Sequence, residues 1–271
     1  MHEEFRNWCG HRIHIKDEGE GAPILLISGL GSNSGMWREF MSHLPDRRYI
    51  RFDSPGTGLS STPLYPIPVA RLASLAAFVL DARSVPLCDV IGYSYGGAIS
   101  QQFAYEYPNR VRRLVLAATT CGIGSKPGSS NANMVLSTPL RYYSPSYFHR
   151  TAAMTFGGVT GRDPAVRQAM IESRKSQPPT YYGYAMQLLG AAGWSSLPFL
   201  ERIPQETLVI CGDDDPLVPV SNAELLASMI PNARLDIIED AGHLFFWDDA
   251  EKIGRHVGKF IGPGRNLANA H

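Results

Sequence analysis

Apolar residues along this chain fall into short runs that alternate with longer amphipathic stretches. Ile24-Leu25-Leu26-Ile27 is apolar without interruption, the pattern of a strand covered on both faces. Tyr49–Asp53, Leu87–Ile91, Arg113–Ala117, Thr207–Cys211 and Arg234–Ile238 are further short strand segments. Arg12-Ile13-His14-Ile15-Lys16 alternates polar and apolar, as an edge strand does, within an expected antiparallel pair over residues 5–17. Helical spacing fills the gaps. Met36–Leu44 is one helix, and Val69–Ala82 is a second, with Leu72, Leu75, Ala76 and Val79 on one face. Gly97–Tyr107 carries Ile99, Phe103 and Tyr107 at four-residue spacing, and Asn222–Met229 stops ahead of Pro231. Ala250–Ile261 closes the series. Strand and helix in alternation predict a mostly parallel, doubly wound α/β sheet covered by helices on both faces.

The alternation breaks after Thr120. The next strand begins 207 − 117 = 90 residues beyond Ala117, far more than one crossover requires. The intervening stretch opens with Gly and Ser and continues with helical segments rich in aromatics. It is expected to form an inserted helical cap over residues 123–200, between core segments 1–122 and 201–262. Residues 263–271 lack periodicity and are expected to be a flexible tail.

Composition narrows the function. Lys+Arg and Asp+Glu both total 25, which argues against nucleic acid or an anionic membrane as the main partner. Met1-His2-Glu3-Glu4-Phe5 lacks the basic-then-apolar order of a signal peptide, and no apolar run approaches a membrane span. Cys9, Cys88, Cys121 and Cys211 form no C-x-x-C, so reduced thiols are expected. Together these features predict a soluble cytoplasmic protein; they leave its oligomeric state open.

The chemistry centres on Gly92-Tyr93-Ser94-Tyr95-Gly96, a G-x-S-x-G between a strand and a helix. A serine on so sharp a turn is pushed outward, and glycines flank it because side chains there would collide with neighbouring backbone. A serine hydroxyl needs a base within hydrogen-bond reach, and the base needs an orienting acid. Of the eight histidines only His243 lies in a turn directly after a core strand and before the last helix. The acid is sought after another strand end, in Gly212-Asp213-Asp214-Asp215-Pro216. Asp215 is chosen because the residue before proline is held extended, and Asp213 and Asp214 are left to cap the turn. Ala117-Ala118-Thr119-Thr120, after the preceding core strand, contains no carboxylate. The order Ser94…Asp215…His243, with 243 − 215 = 28 residues between acid and base, leaves room for one helix and one strand. The N–H groups of Tyr95 and Leu30 are the expected oxyanion donors. Leu217 beside the acid, Leu244 beside the base, and Tyr147, Tyr182 and Trp194 in the cap are candidates to line an apolar substrate pocket. The scheme requires no metal and no organic cofactor.

Four segments resemble the α/β-hydrolase superfamily over about residues 5–261. They are Ser28-Gly29-Leu30-Gly31, Asp53-Ser54-Pro55-Gly56-Thr57-Gly58-Leu59-Ser60, the Ser94 turn, and the Asp215 and His243 loops. Within it the chain looks most like intracellular depolymerases of medium-chain-length polyhydroxyalkanoates. Gly96-Gly97-Ala98, Gln101-Gln102-Phe103-Ala104, Leu114-Val115-Leu116-Ala117-Ala118-Thr119, Gly212–Leu217, Ile230-Pro231-Asn232-Ala233 and Arg162-Asp163-Pro164 carry that likeness. Tyr95 stands where those proteins tend to have Trp, and Ser28 where His or Asn is usual. The resemblance implies a serine hydrolase acting on small or polymeric esters of hydrophobic acyl groups. The same residues also suit thioesterase, perhydrolase or carbon–carbon hydrolase chemistry, or a hydrolase-like small-molecule receptor.

Overall fold

The computed structural model describes residues 2–174 and 177–263. Of the expected tail, residues 264–271 lie outside the described residues. Eight strands form one sheet: β1 (His2–Trp8), β2 (His11–Glu18), β3 (Ala22–Ile27), β4 (Arg47–Phe52), β5 (Cys88–Tyr93), β6 (Val111–Ala117), β7 (Glu206–Gly212) and β8 (Ala233–Ile238). Their order across the sheet is β1-β2-β4-β3-β5-β6-β7-β8. β1 and β2 pair antiparallel, β2 runs antiparallel to β4, and the remaining pairs are parallel.

The central strands are buried on both faces, and their side chains divide by the two-residue period of a strand. Leu25 and Ile27 join one apolar layer with Val90, Leu114 and Leu116. Ile24 and Leu26 join the other with Ile91, Val115 and Ile210. Helices α2 (Val69–Ala82), α3 (Tyr95–Glu106) and α10 (Val220–Met229) cover the first layer through Leu72, Val79, Phe103 and Leu226. The second is covered by α1 (Arg38–Ser42), α11 (Phe245–Asp248) and α12 (Ala250–Ile261) through Phe40, Phe246, Ile253 and Val257. The expected helix over Met36–Leu44 is instead a 3-10 turn, Ser34–Trp37, followed by the short α1, which halts before Pro45. α3 begins at Tyr95 rather than Gly97, so the helix follows Ser94 without a linker.

Among the described residues six helices lie between β6 and β7: α4 (Ser130–Leu136), α5 (Leu140–Tyr143), α6 (Pro145–Phe156), α7 (Gly158–Arg162), α8 (Pro164–Arg174) and α9 (Tyr181–Ala191). The two ends of this insertion meet in an isolated antiparallel bridge, Gly122 to Ser195. The insertion is clamped to the sheet's rim at two places. At Gly183 on α9 a Cβ would lie 2.7 Å from the Cα of Gly56, so two backbones touch there. At the α6–α7 corner, Asp214 Oδ2 accepts from Gly158 N and from Arg162, each at 2.8 Å. Arg162 also donates to the Asp240 carbonyl at 2.7 Å. Asp214 therefore ties cap to core, and Arg162 contributes through a bond and not through bulk.

Asp53, fully buried at the end of β4, holds the loops that frame the site. Its carboxylate accepts from Ser34 N at 2.7 Å, Leu59 N at 2.9 Å and His14 Nδ1 at 2.8 Å. Burial opposes its charge, yet the His14, Leu59 and Ser34 donors outweigh it and lower the Asp53 pKa. Burial likewise opposes charge on His14, while Asp53 and Glu3 prevail and raise its pKa. The signs fix the pH window. Asp53 stabilises the fold above the unfolded carboxylate value of about 4, and that contribution is lost as pH falls through its lower folded value. His14 stabilises fully below about 6.5, with loss as pH rises through its higher folded value. Asp53→Asn is expected to lower the unfolding free energy by about 3 kcal/mol near pH 6 and to flatten both limbs, read by urea titration from pH 3 to 9.

Candidate active site

Three strand ends converge at one rim of the sheet. β5 delivers Ser94, β7 delivers the Asp215 loop and β8 delivers the His243 loop. Ser94 adopts φ 55° and ψ −118°, a conformation L-residues avoid, so its side chain projects from the turn. Neighbouring glycines permit this. A Cβ on Gly96 would lie 2.1 Å from the Ile27 carbonyl oxygen, and one on Gly92 would lie 2.2 Å from Ser100 Oγ. The turn is fixed by Ser94 N donating to Ala117 O at 2.8 Å and by Thr119 Oγ1 donating to Ser94 O at 2.7 Å.

His243 Nε2 lies 3.1 Å from Ser94 Oγ, and its Nδ1 lies 2.7 Å from Asp215 Oδ2. The other Asp215 oxygen accepts from Leu217 N at 2.8 Å and Val218 N at 2.9 Å. An ionised carboxylate only accepts, so Nδ1 carries the imidazole proton and Nε2 is free to accept from the serine. Both His243 and Asp215 are buried. The imidazole is held by its own backbone, with His243 N donating to Phe156 O and Tyr93 Oη donating to His243 O at 2.9 Å. Its ring lies between those of Tyr93 and Phe156.

The loop after β3 passes over Ser94, and a Cβ on Gly29 would lie 3.3 Å from Ser94 Cβ. Leu30 lines the same cavity as Ser94 and His243. Tyr95 is the first residue of α3, where backbone N–H groups have no intrahelical partner. The loop is braced from both sides. Trp37 Nε1 donates to Ser28 Oγ at 3.0 Å, which gives Ser28 its place. From the cap, Gln187 Oε1 accepts from Gly31 N at 2.9 Å and Tyr142 Oη donates to Leu30 O at 3.0 Å.

The cavity at Ser94 is about 30 Å³ and is lined by Leu30, Tyr142, Arg141, Arg174, Leu217 and Leu244 among others. It borders a larger one of about 360 Å³, with Ser32, Tyr93, Tyr142, Arg174 and Leu244 common to both. Leu217 and Leu244 both line this cavity. Three other candidates are not brought to this cavity. Tyr182 is half exposed, and its hydroxyl donates to Leu64 O. Trp194 lies beneath the neck of the insertion, donating to Gln102 at 2.7 Å and packing against Phe199. Tyr147 is half-buried on α6, whose inward face is set by Phe148, Ala152 and Phe156. Arg141, Arg174 and Gln187 went unmarked in the sequence, because nothing in their local spacing distinguishes them from surface residues. Among the described residues no group of three or more His, Cys, Asp or Glu is placed to hold a metal ion, and no helix is long and apolar enough to cross a membrane.

The sheet order, the serine turn and the inserted helices define a class, and the family model of the alpha/beta hydrolase fold matches residues 22–250. The chain belongs to that family. It is 43% identical over 250 residues to a poly(3-hydroxyalkanoate) depolymerase of Ectopseudomonas oleovorans, covering 92% of this chain and 87% of that one. It is 30% identical over 273 residues to a 2-hydroxymuconate semialdehyde hydrolase of Pseudomonas putida, covering 93% and 92%. Among solved structures it resembles a hydrolase from Pseudomonas aeruginosa PA01, with a TM-score of 0.82, 25% identity and coverage of 96% and 98%. The protein is therefore a hydrolase of the α/β type.

Two substitutions test the packing around Ser94. Gly96→Ala is expected to destabilise the protein by about 3 kcal/mol or more, because the Ile27 carbonyl cannot retreat from a central strand. Tyr95→Phe should act the other way. The Tyr95 hydroxyl is buried without a hydrogen-bond partner among the described residues, so its removal is expected to stabilise by about 1 kcal/mol. Denaturant midpoints of the two variants against wild type measure both.

Proposed function

We propose that the protein is a serine hydrolase of carboxylic esters, with polyesters or oligoesters of hydroxyalkanoic acids as its substrates. The hydrogen-bonded row Asp215–His243–Ser94 is the observation that carries this reading. The kinship with a poly(3-hydroxyalkanoate) depolymerase supplies the substrate class.

In this mechanism Ser94 Oγ attacks the ester carbonyl carbon while its proton passes to His243 Nε2. The carbonyl electron pair moves onto oxygen, which accepts from the Leu30 and Tyr95 N–H groups. Asp215 steadies the imidazolium through Nδ1–H. The tetrahedral adduct collapses, the C–O bond to the alcohol breaks, and His243 returns the proton to the departing oxygen. Water then repeats the sequence on the acyl-serine ester, with His243 as base, and releases the acid and a free Ser94.

Carbon–carbon hydrolysis is the second reading, favoured by the likeness to the 2-hydroxymuconate semialdehyde hydrolase. A substrate panel separates the two. Wild type is expected to hydrolyse p-nitrophenyl octanoate and 3-hydroxyoctanoate oligomers, and Ser94→Ala to lose at least about 10⁴-fold in kcat. Turnover of a 2-hydroxy-6-oxo-dienoate in preference to every ester would overturn the ester assignment.

A further inference from the structure

The net charge of the chain is zero, yet two arginines gather at the Ser94 cavity. Arg141 and Arg174, from two different cap helices, both line the cavity that contains Ser94. Arg141 is buried and its charge is engaged, with Nη1 donating to Tyr184 Oη at 2.7 Å and to Thr138 O at 3.0 Å. Arg174 is different. Its Nη1 is buried with no hydrogen-bond partner, and no carboxylate lies within ion-pair distance of it among the described residues. Asp248 is in its neighbourhood, but the Asp248 oxygens are taken by the backbone and hydroxyl of Thr160. The guanidinium rests on ring faces, 5.5 Å from the centre of Tyr142 and 5.8 Å from that of Phe148.

An unpaired buried guanidinium donor is costly, and it persists in a site only where something offsets the cost. Arg174 stands where the 30 Å³ and 360 Å³ cavities meet, so its free donor borders the path between Ser94 and the wider space. The phenol of Tyr142 lies between the two guanidiniums, at 4.6 Å from Arg141 and 5.5 Å from Arg174. Burial disfavours charge on that phenol, yet the Arg141 and Arg174 charges outweigh it and lower its pKa. The cavity wall therefore presents a buried guanidinium donor that no carboxylate of the described residues pairs.

We propose that Arg174, backed by Arg141, forms an anion subsite that receives a free carboxylate carried by the substrate. This rests on the serine-hydrolase reading and specifies its substrate as an ester with an ionised acid group near the scissile bond. An oligoester of a hydroxy acid has that group at its carboxyl end, so the subsite favours cleavage of end units and short oligomers over internal bonds. A planar guanidinium matches a carboxylate through paired N–H donors, which a neutral ester cannot exploit.

Two probe pairs test this. One is the 3-hydroxyoctanoate dimer with a free carboxylate against its terminal carboxamide; it places the charge on the alcohol side. The other is mono-p-nitrophenyl glutarate against p-nitrophenyl methyl glutarate; it places the charge on the acyl side. Wild type is expected to prefer the charged member of at least one pair by about 10-fold or more in kcat/KM, the scale of a charge-assisted hydrogen bond. Arg174→Gln should abolish that preference chiefly through KM, and Arg174→Lys should restore part of it. Equal kcat/KM within both pairs in wild type overturns the subsite, and needs no variant to do so. A preference that survives Arg174→Gln overturns the assignment to Arg174. Loss of activity on charged and uncharged members alike in wild type would refute the ester reading instead.

Discussion

A serine held at φ 55° at the end of a buried central strand is the constraint from which the site follows. The strand must stop, the helix must start on the next residue, and there is no space for side chains on either flanking glycine. The turn is consequently rigid, and Ser94 Oγ has one direction in which to point. The parallel sheet then supplies the partners. β5, β7 and β8 end at the same rim, so the loops bearing Ser94, Asp215 and His243 converge without a long excursion.

The cap has a structural part in this arrangement as well as forming the cavity wall. Phe156 of α6 accepts from His243 N, and Asp214 accepts from Gly158 and Arg162. The acid and base loops are thereby pinned from above. On the opposite side Gln187 and Tyr142 fasten the loop that carries Leu30. Two cap corners thus grip the two halves of the site. Movement of the cap would disturb donor and base together, which links access to the cavity with the alignment of the groups inside it.

Charge is distributed unevenly between the exterior and the chamber. The chain as a whole balances acids against bases, while the cavity wall gathers Arg141 and Arg174 with no carboxylate paired to Arg174 among the described residues. The aromatics expected to make an apolar chamber go to other work. Tyr184 satisfies Arg141, Tyr142 braces the Leu30 loop, and Trp194 closes the neck against Gln102.

Local sequence determined a great deal here. Apolar runs buried on both faces required a parallel sheet, the 90-residue gap after Ala117 required an insertion, and G-x-S-x-G between strand and helix required the Ser94 turn. Those features are legible because strand burial and turn sterics act over a few residues. Asp214 and Asp215 are neighbours with different work, one gripping the cap and the other bonded to His243, and no local pattern separates them completely. His14 looks like an edge-strand residue in sequence, yet it is buried between Asp53 and Glu3. Arg174 resembles any solvated arginine at a helix end until α8 sets it against the Ser94 cavity. Only the tertiary structure decided these, because the burial and partners that define them come from segments distant in the chain.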